Sequence, residues 1–576
     1  MTDKKVEHKT VETTENDEAG ADIDFQIVKP PPPHSYGYGE LMFVVAEVIA
    51  ILCFGLGCEY SDSIHPSATM TDAAARDMMQ NWYPFFQDTH VMIFIGFGFL
   101  MTFIKTNQWS ALCFNWIISC WALQWGLLSQ GFWHQVVHGE EESLHKINVT
   151  LDKLIVADYG AGAAMITFGA VLGKCNLQQL FFLVLWEMIW WPLNEAICVH
   201  LGMTDAGGSI VVHTFGAYFG VASTWFFQPT RARKSNNCQS SHNSEVIAFV
   251  GSIFLFIYWP SFNGALASGV TQHRIVVNTT LGIVGSVMGG ACVSRFLHGK
   301  LETEIMLNAT LAGGVAIGSG ADIIVAPWAA IFIGFVGGAI SALGFAKLNA
   351  FFTENLNLHD TCGVQFLHGI PGIFAAIVSA IAIAGSSGKG FPDDYFPVMA
   401  DGGSRQGQAA AQIYALLVTL AISILGGATG GFICSLSIFQ PVHTLFHDVD
   451  NFEDCLDKMS TDCFEGMDET YDHTKANFED VKSALVLRRA LYATENQETA
   501  VNSMVKDIWD QEVGAANTDL TKKQCERFLS QFVKKNNPKM EVSKGAFEEF
   551  FSALDSNKNN KVSKEELGAF LLKFTV

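Results

Sequence analysis

The sequence predicts an all-α polytopic membrane protein with about twelve transmembrane helices in a five-plus-five inverted repeat, followed by a helical cytosolic domain. Of its 576 residues, 49% are hydrophobic and only 16% are charged, and the mean hydropathy is +0.25. A soluble protein carries about 25% charged residues, so a large membrane-embedded part explains the difference. Two further observations support this fold class: long apolar runs recur along the chain, and one motif occurs twice in opposite orientation.

Apolar runs long enough to cross a bilayer, about 20 residues each, recur over the first three quarters of the chain. Small residues within them, such as Gly337-Gly338 and Gly426-Gly427, favour close packing of helices in lipid. Their number and length disfavour the alternative of buried helices in a soluble core. The predicted spans lie near 40–58, 88–105, 110–131, 154–173, 177–201, 206–228, 245–263, 276–297, 303–320, 326–347, 362–385 and 410–436.

Basic residues in the short loops determine the predicted orientation. With a cytosolic N-terminus, the inner loops carry most of the Lys and Arg, for example Lys174 and Arg231, whereas an outer loop contains the acidic run 140–142. Asn148-Val-Thr150 then lies outside, where Asn148 is a predicted glycosylation acceptor. Both termini are expected to be cytosolic, and the chain is expected to be a multi-pass protein of the plasma membrane.

The chain divides into four predicted regions. An acidic, Pro-rich, disordered tail covers 1–38, and no cleavable signal peptide is expected, so the first apolar run acts as an anchor. The membrane domain covers 39–437, a cytosolic helical linker region covers 438–515, and an EF-hand-like pair covers 516–576. Apolar spacing predicts four helices in the tail, near 474–493, 496–512, 520–533 and 545–554.

Charge and composition exclude several classes of function. The net charge of −22 argues against nucleic acid as a partner, because phosphate binding needs a basic face. The 13 cysteines show no paired spacing, and most lie in apolar runs as small hydrophobes; Cys455, Cys463 and Cys525 are expected to be free thiols in the tail. The sequence contains no recognisable nucleophile–base set, Walker loop or zinc spacing, so it is not expected to be an enzyme.

One motif occurs twice, from Asp205 to His213 and from Asp360 to His368, with Asp, Gly at +3 and His at +8. Each copy opens a predicted span, and each Asp is placed to accept hydrogen bonds from the first helical turn. Eight helical residues cover about 12 Å, close to the half-thickness of the hydrocarbon core, about 15 Å. The first copy enters from outside and the second from inside. This predicts an inverted repeat whose site lies at the midplane.

Two histidines at this depth predict a transport path. An ionisable side chain inside a span is a functional hypothesis by default, and symmetric positions disfavour the alternative of histidines that only hydrogen-bond a neighbouring helix. A bare cation would lose much hydration energy, and the spans offer no recognisable ring of carboxylates or carbonyl filter. Two neutral imidazoles offer both donors and acceptors. The path therefore suits a small polar solute that crosses uncharged, with no cofactor in the pore.

Six stretches between about 38 and 437 together carry a family resemblance. They are Gln87 to Phe103, Phe168 to Lys174, Asp205 to Gly220, Tyr258 to Asn263, Asn308 to Gly314 and Asp360 to Gly372. In these stretches the chain resembles the Rhesus glycoprotein branch of the ammonium transporter superfamily. The resemblance implies a homotrimer in the lipid bilayer with one conduction path for ammonia or ammonium in each subunit. It also implies twin pore histidines at His213 and His368 and structural aspartates at Asp205 and Asp360.

The resemblance further implies a gate of stacked aromatic rings at the outer mouth. Phe262 matches one of the family's two gate phenylalanines. The other falls within the stretch from Gln130 to His134, where the order of Trp and Phe is the reverse of the family's. Trp133 then takes the gate position, with Phe132 beside it.

Two more residues belong to the structural and recruiting group that the resemblance implies. Glu195 corresponds to the family's vestibule glutamate, although its spacing to Asp205 is one residue shorter. Asn263 belongs to the same structural and recruiting group. The implied mechanism is that ammonium is attracted to the outer mouth and loses its proton there, and that ammonia then crosses and is reprotonated inside.

The segment 555–566 fits a 12-residue EF-hand loop for calcium. Position six is Asn560 in place of Gly, and Asn tolerates the left-handed conformation. An upstream partner at 535–546 has Ala546 at its closing position and is expected to pair without metal. The alternative is a solvated polar loop between helices. The predicted oxygen ligands are Asp555, Asn557, Asn559, the Lys561 carbonyl, Ser563 and Glu566.

The sequence therefore predicts a membrane channel that conducts ammonia, with the hypothesis that calcium acts on the tail to alter flux or trafficking. Two alternatives stay open. One is a carbon dioxide channel, which the predicted pore does not exclude. The other is a calcium-linked ammonium sensor that conducts little.

Overall fold

Long helices form the first of two compact units in this computed structural model, Met1–Phe452, and short helices with small strand pairs form the second, Glu453–Val576. Nearly all of the predicted disordered tail at 1–38 lies outside the described residues, as do most of 474–493 and 496–512. The structure describes residues 38–61, 63–65, 71–139, 144–227, 232, 235, 237–386, 391–392, 395–436, 438–439, 442, 445–448, 451–452, 475–476, 505–506, 519–536, 541–542, 544–555 and 557–573.

A helix lies at each of the twelve predicted spans. They are α1 (Tyr38–Gly57), α2 (Asp72–Phe103), α3 (Gln108–His138), α4 (Leu151–Val171), α5 (Leu177–His200), α6 (Ser209–Thr214 continued by Phe215–Phe227), α7 (His242–Gly264), α8 (Gly269–His298), α9 (Thr303–Gly318), α10 (Pro327–Asn355), α11 (Gln365–Gly385) and α12 (Arg405–Cys434). Within the part of the chain that the structure describes, nine of them are long and apolar enough to cross a membrane. The chain is therefore a multi-pass membrane protein. Because α1, α6 and α9 are not among these nine helices, the count of twelve spans stays a prediction.

The largest difference from the predicted boundaries is at α2, which begins at Asp72 instead of near 88. Thr71 caps this helix by accepting a hydrogen bond from the backbone N–H of Ala74 at 3.3 Å. The added turns are rich in polar residues, so a search for apolar runs passes over them. A helix that continues beyond the hydrocarbon region needs caps and helix formers but no apolar run.

Small residues bring neighbouring helices into backbone contact, as predicted for the Gly-rich runs. A Cβ atom on Gly334 of α10 would collide with the carbonyl oxygen of Gly282 in α8. A Cβ atom on Gly427 of α12 would collide with the carbonyl oxygen of Phe219 in α6 in the same way. These glycines allow the helices to approach more closely than any larger residue would permit.

The first unit continues past the predicted boundary at 437 because a short segment after α12 packs against its loops. The N–H of Phe446 donates to the carbonyl of Gly173 at 2.8 Å, and the Phe446 side chain is fully buried. The carboxylate of Asp448 accepts hydrogen bonds from the N–H groups of Trp109 and Ser110, at 3.0 and 2.7 Å. Asp448 therefore caps the first turn of α3 and fixes the start of the tail.

Three pairs of short strands complete the described structure. In the first unit, β1 (Cys58–Tyr60) pairs in parallel with β2 (Ile147–Val149). In the second unit, the helices predicted near 520–533 and 545–554 are confirmed. Its elements are β3 (Lys475–Ala476), β4 (Asp519–Thr521), α13 (Lys522–Asn536), β5 (Glu541–Val542), α14 (Lys544–Leu554), β6 (Lys561–Ser563) and α15 (Lys564–Lys573), with β3 parallel to β5 and β4 antiparallel to β6.

Candidate functional site

The structure brings the two histidines of the repeated motif into contact. The Nδ1 atoms of His213 and His368 lie 3.2 Å apart, and their rings are 8° from parallel with centroids 5.2 Å apart. The exposed fractions are 1% for His213 and 2% for His368. Within the described residues, the Nε2 atom of His213 is buried with no hydrogen-bond partner. Since buried polar atoms are nearly always paired, this nitrogen is suited to a small polar solute.

Both motifs enter their helices through the same backbone conformation. The +3 glycines, Gly208 and Gly363, have φ values of +65° and +68°, a region that L residues avoid. Each glycine is followed by a π-helical turn that contains the histidine, Ser209–Thr214 in one copy and Gln365–Gly369 in the other. Such turns are rare and occur frequently at functional sites. The repeat of the sequence is therefore also a repeat of backbone conformation.

The two aspartates hold these turns in place. Oδ2 of Asp205 accepts hydrogen bonds from the N–H groups of Ile210 and Val211 at 2.9 and 3.0 Å. Oδ2 of Asp360 accepts one from the N–H of Gln365 at 3.0 Å. Burial raises the pKa of both carboxyls, and hydrogen bonds from nearby donors oppose that rise. These are the contacts expected of residues that cap and position the turns.

Lys174 supports the second motif from the loop after α4. Its Nζ atom donates a hydrogen bond to the carbonyl of His359, the residue before Asp360. Burial lowers the pKa of Lys174 to about 8, and the nearby Asp360 carboxylate opposes this shift. From the sequence, Lys174 indicated only the orientation of the chain in the membrane. Nothing near it in the sequence links it to the second motif, which begins at Asp360.

The ring of Tyr159 packs against that of Phe262, while the predicted gate of Phe262 with Trp133 stays a prediction. The two centroids are 4.5 Å apart, and the Tyr159 hydroxyl donates to the Phe262 carbonyl at 2.6 Å. Phe262 also faces His213, with centroids 5.8 Å apart. Trp133 instead contacts Phe132, which is 42% exposed. Tyr159 was missed because its pairing with Phe262 arises only when α4 packs beside α7.

Glu195 and Asn263, the remaining members of the predicted structural and recruiting group, have different surroundings. Nε2 of His134 lies 2.5 Å from Oε2 of Glu195, so the glutamate is hydrogen-bonded near the end of α5. Asn263 is buried, and its Nδ2 atom donates to the Thr279 hydroxyl at 3.0 Å and to the Gly314 carbonyl at 3.3 Å. These contacts join α7, α8 and α9, which is the arrangement expected of a structural residue.

A cavity of about 810 Å³ leads from the loops at one end of the helices to His368. Phe97, Leu367 and the loop around Asp360 contribute to its wall. On the other side of the histidine pair the rings close together. His213 stacks on Trp259 with centroids 5.4 Å apart. The cavity therefore reaches His368, and packed aromatic rings surround His213 beyond it.

Two further carboxyl groups lie buried within the spans and were not singled out from the sequence. Asp158 is hydrogen-bonded to Nδ1 of His90 at 3.1 Å, which joins α4 to α2. Glu187 accepts a hydrogen bond from the Thr167 hydroxyl at 2.8 Å, which joins α5 to α4. An acidic residue in an apolar run is itself the signal that could have identified both.

The loop between α9 and α10 buries another carboxyl group, Asp322, which is 7% exposed. Arg274 donates from Nε to the Asp322 backbone carbonyl at 2.7 Å, and the Tyr395 hydroxyl lies 3.4 Å from Oδ2. Within the described residues, Oδ1 is buried without a partner. Burial raises the pKa of Asp322 to about 6, although Arg274 opposes the rise. The folded chain therefore holds this proton more tightly than the unfolded chain.

Replacing Asp322 with asparagine should stabilise the protein above neutral pH. Because the pKa is raised on folding, the free energy of unfolding falls as pH rises from about 4 through about 6, and asparagine has no such loss. The midpoint of thermal unfolding should rise by about 2 °C or more at pH 8 and by less at pH 5. Thermal unfolding of the full chain in detergent measures this. Asp401→Asn, at an exposed loop position, is the control; an equal shift at both pH values would contradict the assignment.

The candidate calcium loop at 555–566 contains a left-handed turn. Asn560 has φ +60°, so the left-handed turn expected at position six is confirmed. Asp555 is 6% exposed and its two oxygens accept hydrogen bonds from the N–H groups of Asn559 and Asn560, at 2.9 and 2.8 Å. Glu566 accepts one from Asn557 at 3.2 Å. The carboxylates therefore enclose the loop from both ends, which fits an oxygen-ligated divalent cation.

The strand that pairs with this loop lies further upstream than predicted. β6 pairs with β4, with Leu520 opposite Val562, whereas residues of the predicted partner at 535–546 form β5, which pairs with β3. Along the sequence, Gln524 is as many residues after Leu520 as Glu566 is after Val562. The prediction of a partner at 535–546 is therefore wrong, because one apolar strand position cannot distinguish two nearby candidates.

Three aromatic residues of α14 are buried in the second unit. Phe547, Phe550 and Phe551 are each 4% exposed or less. Of the tail cysteines, Cys525 is free and buried, and burial raises its pKa to about 12. Cys525 is thus a structural residue, while Cys455 and Cys463 lie outside the described residues.

Comparison with known proteins covers the first unit. Residues 42–444 match the model of the Ammonium Transporter Family. Ammonium transporter Rh type B of Danio rerio is 40% identical over 414 residues, which are 69% of this chain and 88% of that protein. Ammonium transporter Rh type C of Homo sapiens is 39% identical over 419 residues, which are 70% of this chain and 86% of that protein.

Solved structures show the same helical arrangement. A structure described as Nitrosomonas europaea Rh50 and the mechanism of conduction by the Rhesus protein family of channels is 28% identical. It has a TM-score of 0.56 and covers 68% of this chain and 100% of that chain. A sensor Amt protein is 19% identical with a TM-score of 0.51, covers 64% of this chain and 96% of that chain, and shows the fold alone.

Proposed function

This chain belongs to the ammonium transporter family, and on that basis we propose that it conducts ammonia through a path lined by His213 and His368. The observation that carries the proposal is the contact between the two Nδ1 atoms, 3.2 Å apart and buried. One imidazole can donate to the other while both remain uncharged. Such a pair offers hydrogen bonds to a neutral polar solute without stabilising a bare cation.

The mechanism proceeds in three steps. Ammonium is attracted to the outer mouth near Glu195 and loses its proton there. Ammonia then passes Phe262, whose ring packs against that of Tyr159. It then exchanges hydrogen bonds along the histidine pair and enters the cavity below His368, where water reprotonates it. Asp205 and Asp360 take part only by fixing the turns that carry the histidines.

The membrane arrangement is part of the proposal. Both termini lie in the cytosol, so that the cavity below His368 opens inward and Phe262 lies toward the outside. The chain assembles as a homotrimer in the plasma membrane, with a separate path in each subunit. Asn148 lies on the outer side, is exposed in β2, and is the acceptor for glycosylation.

The tail adds a calcium site that modulates flux or trafficking. Asp555, Asn557, Asn559, the Lys561 carbonyl, Ser563 and Glu566 would hold the ion. Bound calcium would supply positive charge at the centre of the loop, where the oxygens of Asp555 and Glu566 now accept hydrogen bonds from backbone N–H groups. Calcium would compete for these oxygens and so tighten the loop between α14 and α15.

Flux through the purified full chain in proteoliposomes tests this function. An imposed ammonium gradient should change the internal pH of these vesicles much faster than that of protein-free vesicles. The measurement is made both with and without calcium. A carbon dioxide gradient, applied to the same vesicles, tests the alternative channel. Protein-mediated carbon dioxide flux without ammonia flux would overturn the proposal. Ammonium binding without flux of either gas would favour the sensor.

A further inference from the structure

Three histidines and one glutamate lie together at the ends of α3 and α5. His134 and His138 are one turn apart on α3, and Glu195 and His200 lie on the last turns of α5. Nε2 of His134 is 2.5 Å from Oε2 of Glu195. The His134 and His138 ring centroids are 5.1 Å apart, and those of His138 and His200 are 5.6 Å apart. The four side chains thus form a continuous series.

The series begins at the largely buried side chain of Glu195 and ends at the exposed side chain of His200. The Glu195 side chain is 16% exposed and that of His134 is 28% exposed, while His200 is an exposed residue. In the proposed orientation both helices end on the outer side, so His200 meets the external solution. Of the other described ionisable groups, His145 and Lys146 follow α3, Lys146 pairs with Glu59 at 3.6 Å, Asp152 and Lys153 begin α4, and Asp205 follows α5.

Transport of ammonia from an ammonium solution requires a base at the outer mouth. Ammonia is a much stronger base than water, so ammonium gives its proton to water slowly. A positioned carboxylate or imidazole accelerates such a transfer by general base catalysis. The same base must then lose its proton before the next ammonium ion arrives, because a protonated group cannot accept a second proton.

We propose that Glu195 and His134 accept the proton of ammonium at the outer mouth, and that His138 and His200 relay it to the external solution. This inference rests on the proposed function and assigns its deprotonation step. The pair can share one proton across the 2.5 Å contact. Transfer through His138 and His200, bridged by water, carries the proton to an exposed ring.

The proton balance of one cycle is closed. An N–H bond of ammonium breaks, and its electron pair stays on nitrogen as ammonia leaves toward Phe262. The proton forms a new bond to Glu195 or His134. It then moves along His138 and His200 and finally bonds to water or an external buffer base. The carboxylate–imidazole pair returns to its starting state, and no electron is transferred.

Initial ammonia flux as a function of external pH tests the relay, in proteoliposomes in which the orientation of the chain is known. His134→Gln should lower the rate about tenfold at external pH 6, where nearly all substrate is ammonium. At external pH 9 ammonia is abundant outside, so the variant should match the unsubstituted protein. His138→Gln should show a smaller loss with the same pH dependence. Millimolar imidazole added outside should restore the pH 6 rate of His134→Gln.

The control is His242→Gln, at an exposed position on the opposite side of the bilayer in this orientation, which should leave both rates unchanged. A His134→Gln loss that is equal at pH 6 and pH 9, or that imidazole does not restore, would indicate a structural role and overturn the relay. Equal flux rates of His134→Gln and the unsubstituted protein at pH 6 would overturn the relay as well. Absence of flux in the unsubstituted protein would refute the proposed function itself, so the two failures are distinguishable.

Discussion

His213→Ala and His368→Ala should each lower ammonia flux about tenfold. Each substitution removes one half of the buried hydrogen-bonding pair that lines the proposed path. Loss of one hydrogen bond to the crossing solute costs about 1–1.5 kcal/mol, and a barrier raised by that amount slows crossing about tenfold. Stopped-flow measurement of internal pH in proteoliposomes, normalised to the amount of reconstituted protein, gives the rate.

The controls for this experiment separate function from folding. His242→Ala changes an exposed histidine outside the path and should conduct normally. Thermal unfolding of each variant verifies that the variant is folded. Unchanged flux in folded His213→Ala and His368→Ala proteins would exclude these residues from the path.

Glu566→Gln should weaken calcium binding by the tail about a hundredfold, because calcium affinity in such loops depends strongly on the number of charged ligands. Glutamine keeps the shape of the side chain but removes the charge and the second carboxylate oxygen. The chain contains its own comparison, since Gln524 occupies the matching position beside β4. There its Oε1 atom accepts a hydrogen bond from the N–H of Thr521 at 3.0 Å, as Oε2 of Glu566 does from Ser563.

Calorimetric titration of the full chain in detergent measures this affinity. Glu526→Gln, at an exposed position of α13, is the matched control and should bind calcium normally. Any effect of calcium on flux should disappear in Glu566→Gln and persist in Glu526→Gln. Equal calcium affinity in the two variants would contradict the ligand assignment.

Much of the membrane unit follows from local physical constraints. A bilayer requires long apolar helices, so their approximate positions could be predicted from hydropathy alone. The repeated Asp–Gly–His spacing could be recognised because each copy is local and each residue type has a separate role. Asp205 caps, Gly208 adopts positive φ, and His213 follows at a fixed helical rise. The contact between His213 and His368 then required only the inference of opposite orientation.

Features that depend on packing between distant segments could not be predicted. Tyr159 lies 103 residues before Phe262, and no local pattern distinguishes it from other aromatic residues. The choice of β4 as the partner of β6 likewise depends on the folded arrangement of α13 and α14. The polar start of α2 was missed for a different reason, because hydropathy detects membrane spans and not helices as such.

The contact between two Nδ1 atoms also bears on the direction of transport. A hydrogen bond there needs one ring that carries its proton on Nδ1 and one that carries it on Nε2, so the pair has a polarity. Exchange of the two tautomers reverses that polarity. The rings come from oppositely oriented copies of one motif, so an approximate two-fold rotation relates the two states, although Trp259 packs on His213 while the cavity reaches His368. Transport along the proposed path is passive, so the concentration gradient of ammonia decides which way it flows, whichever tautomer is present.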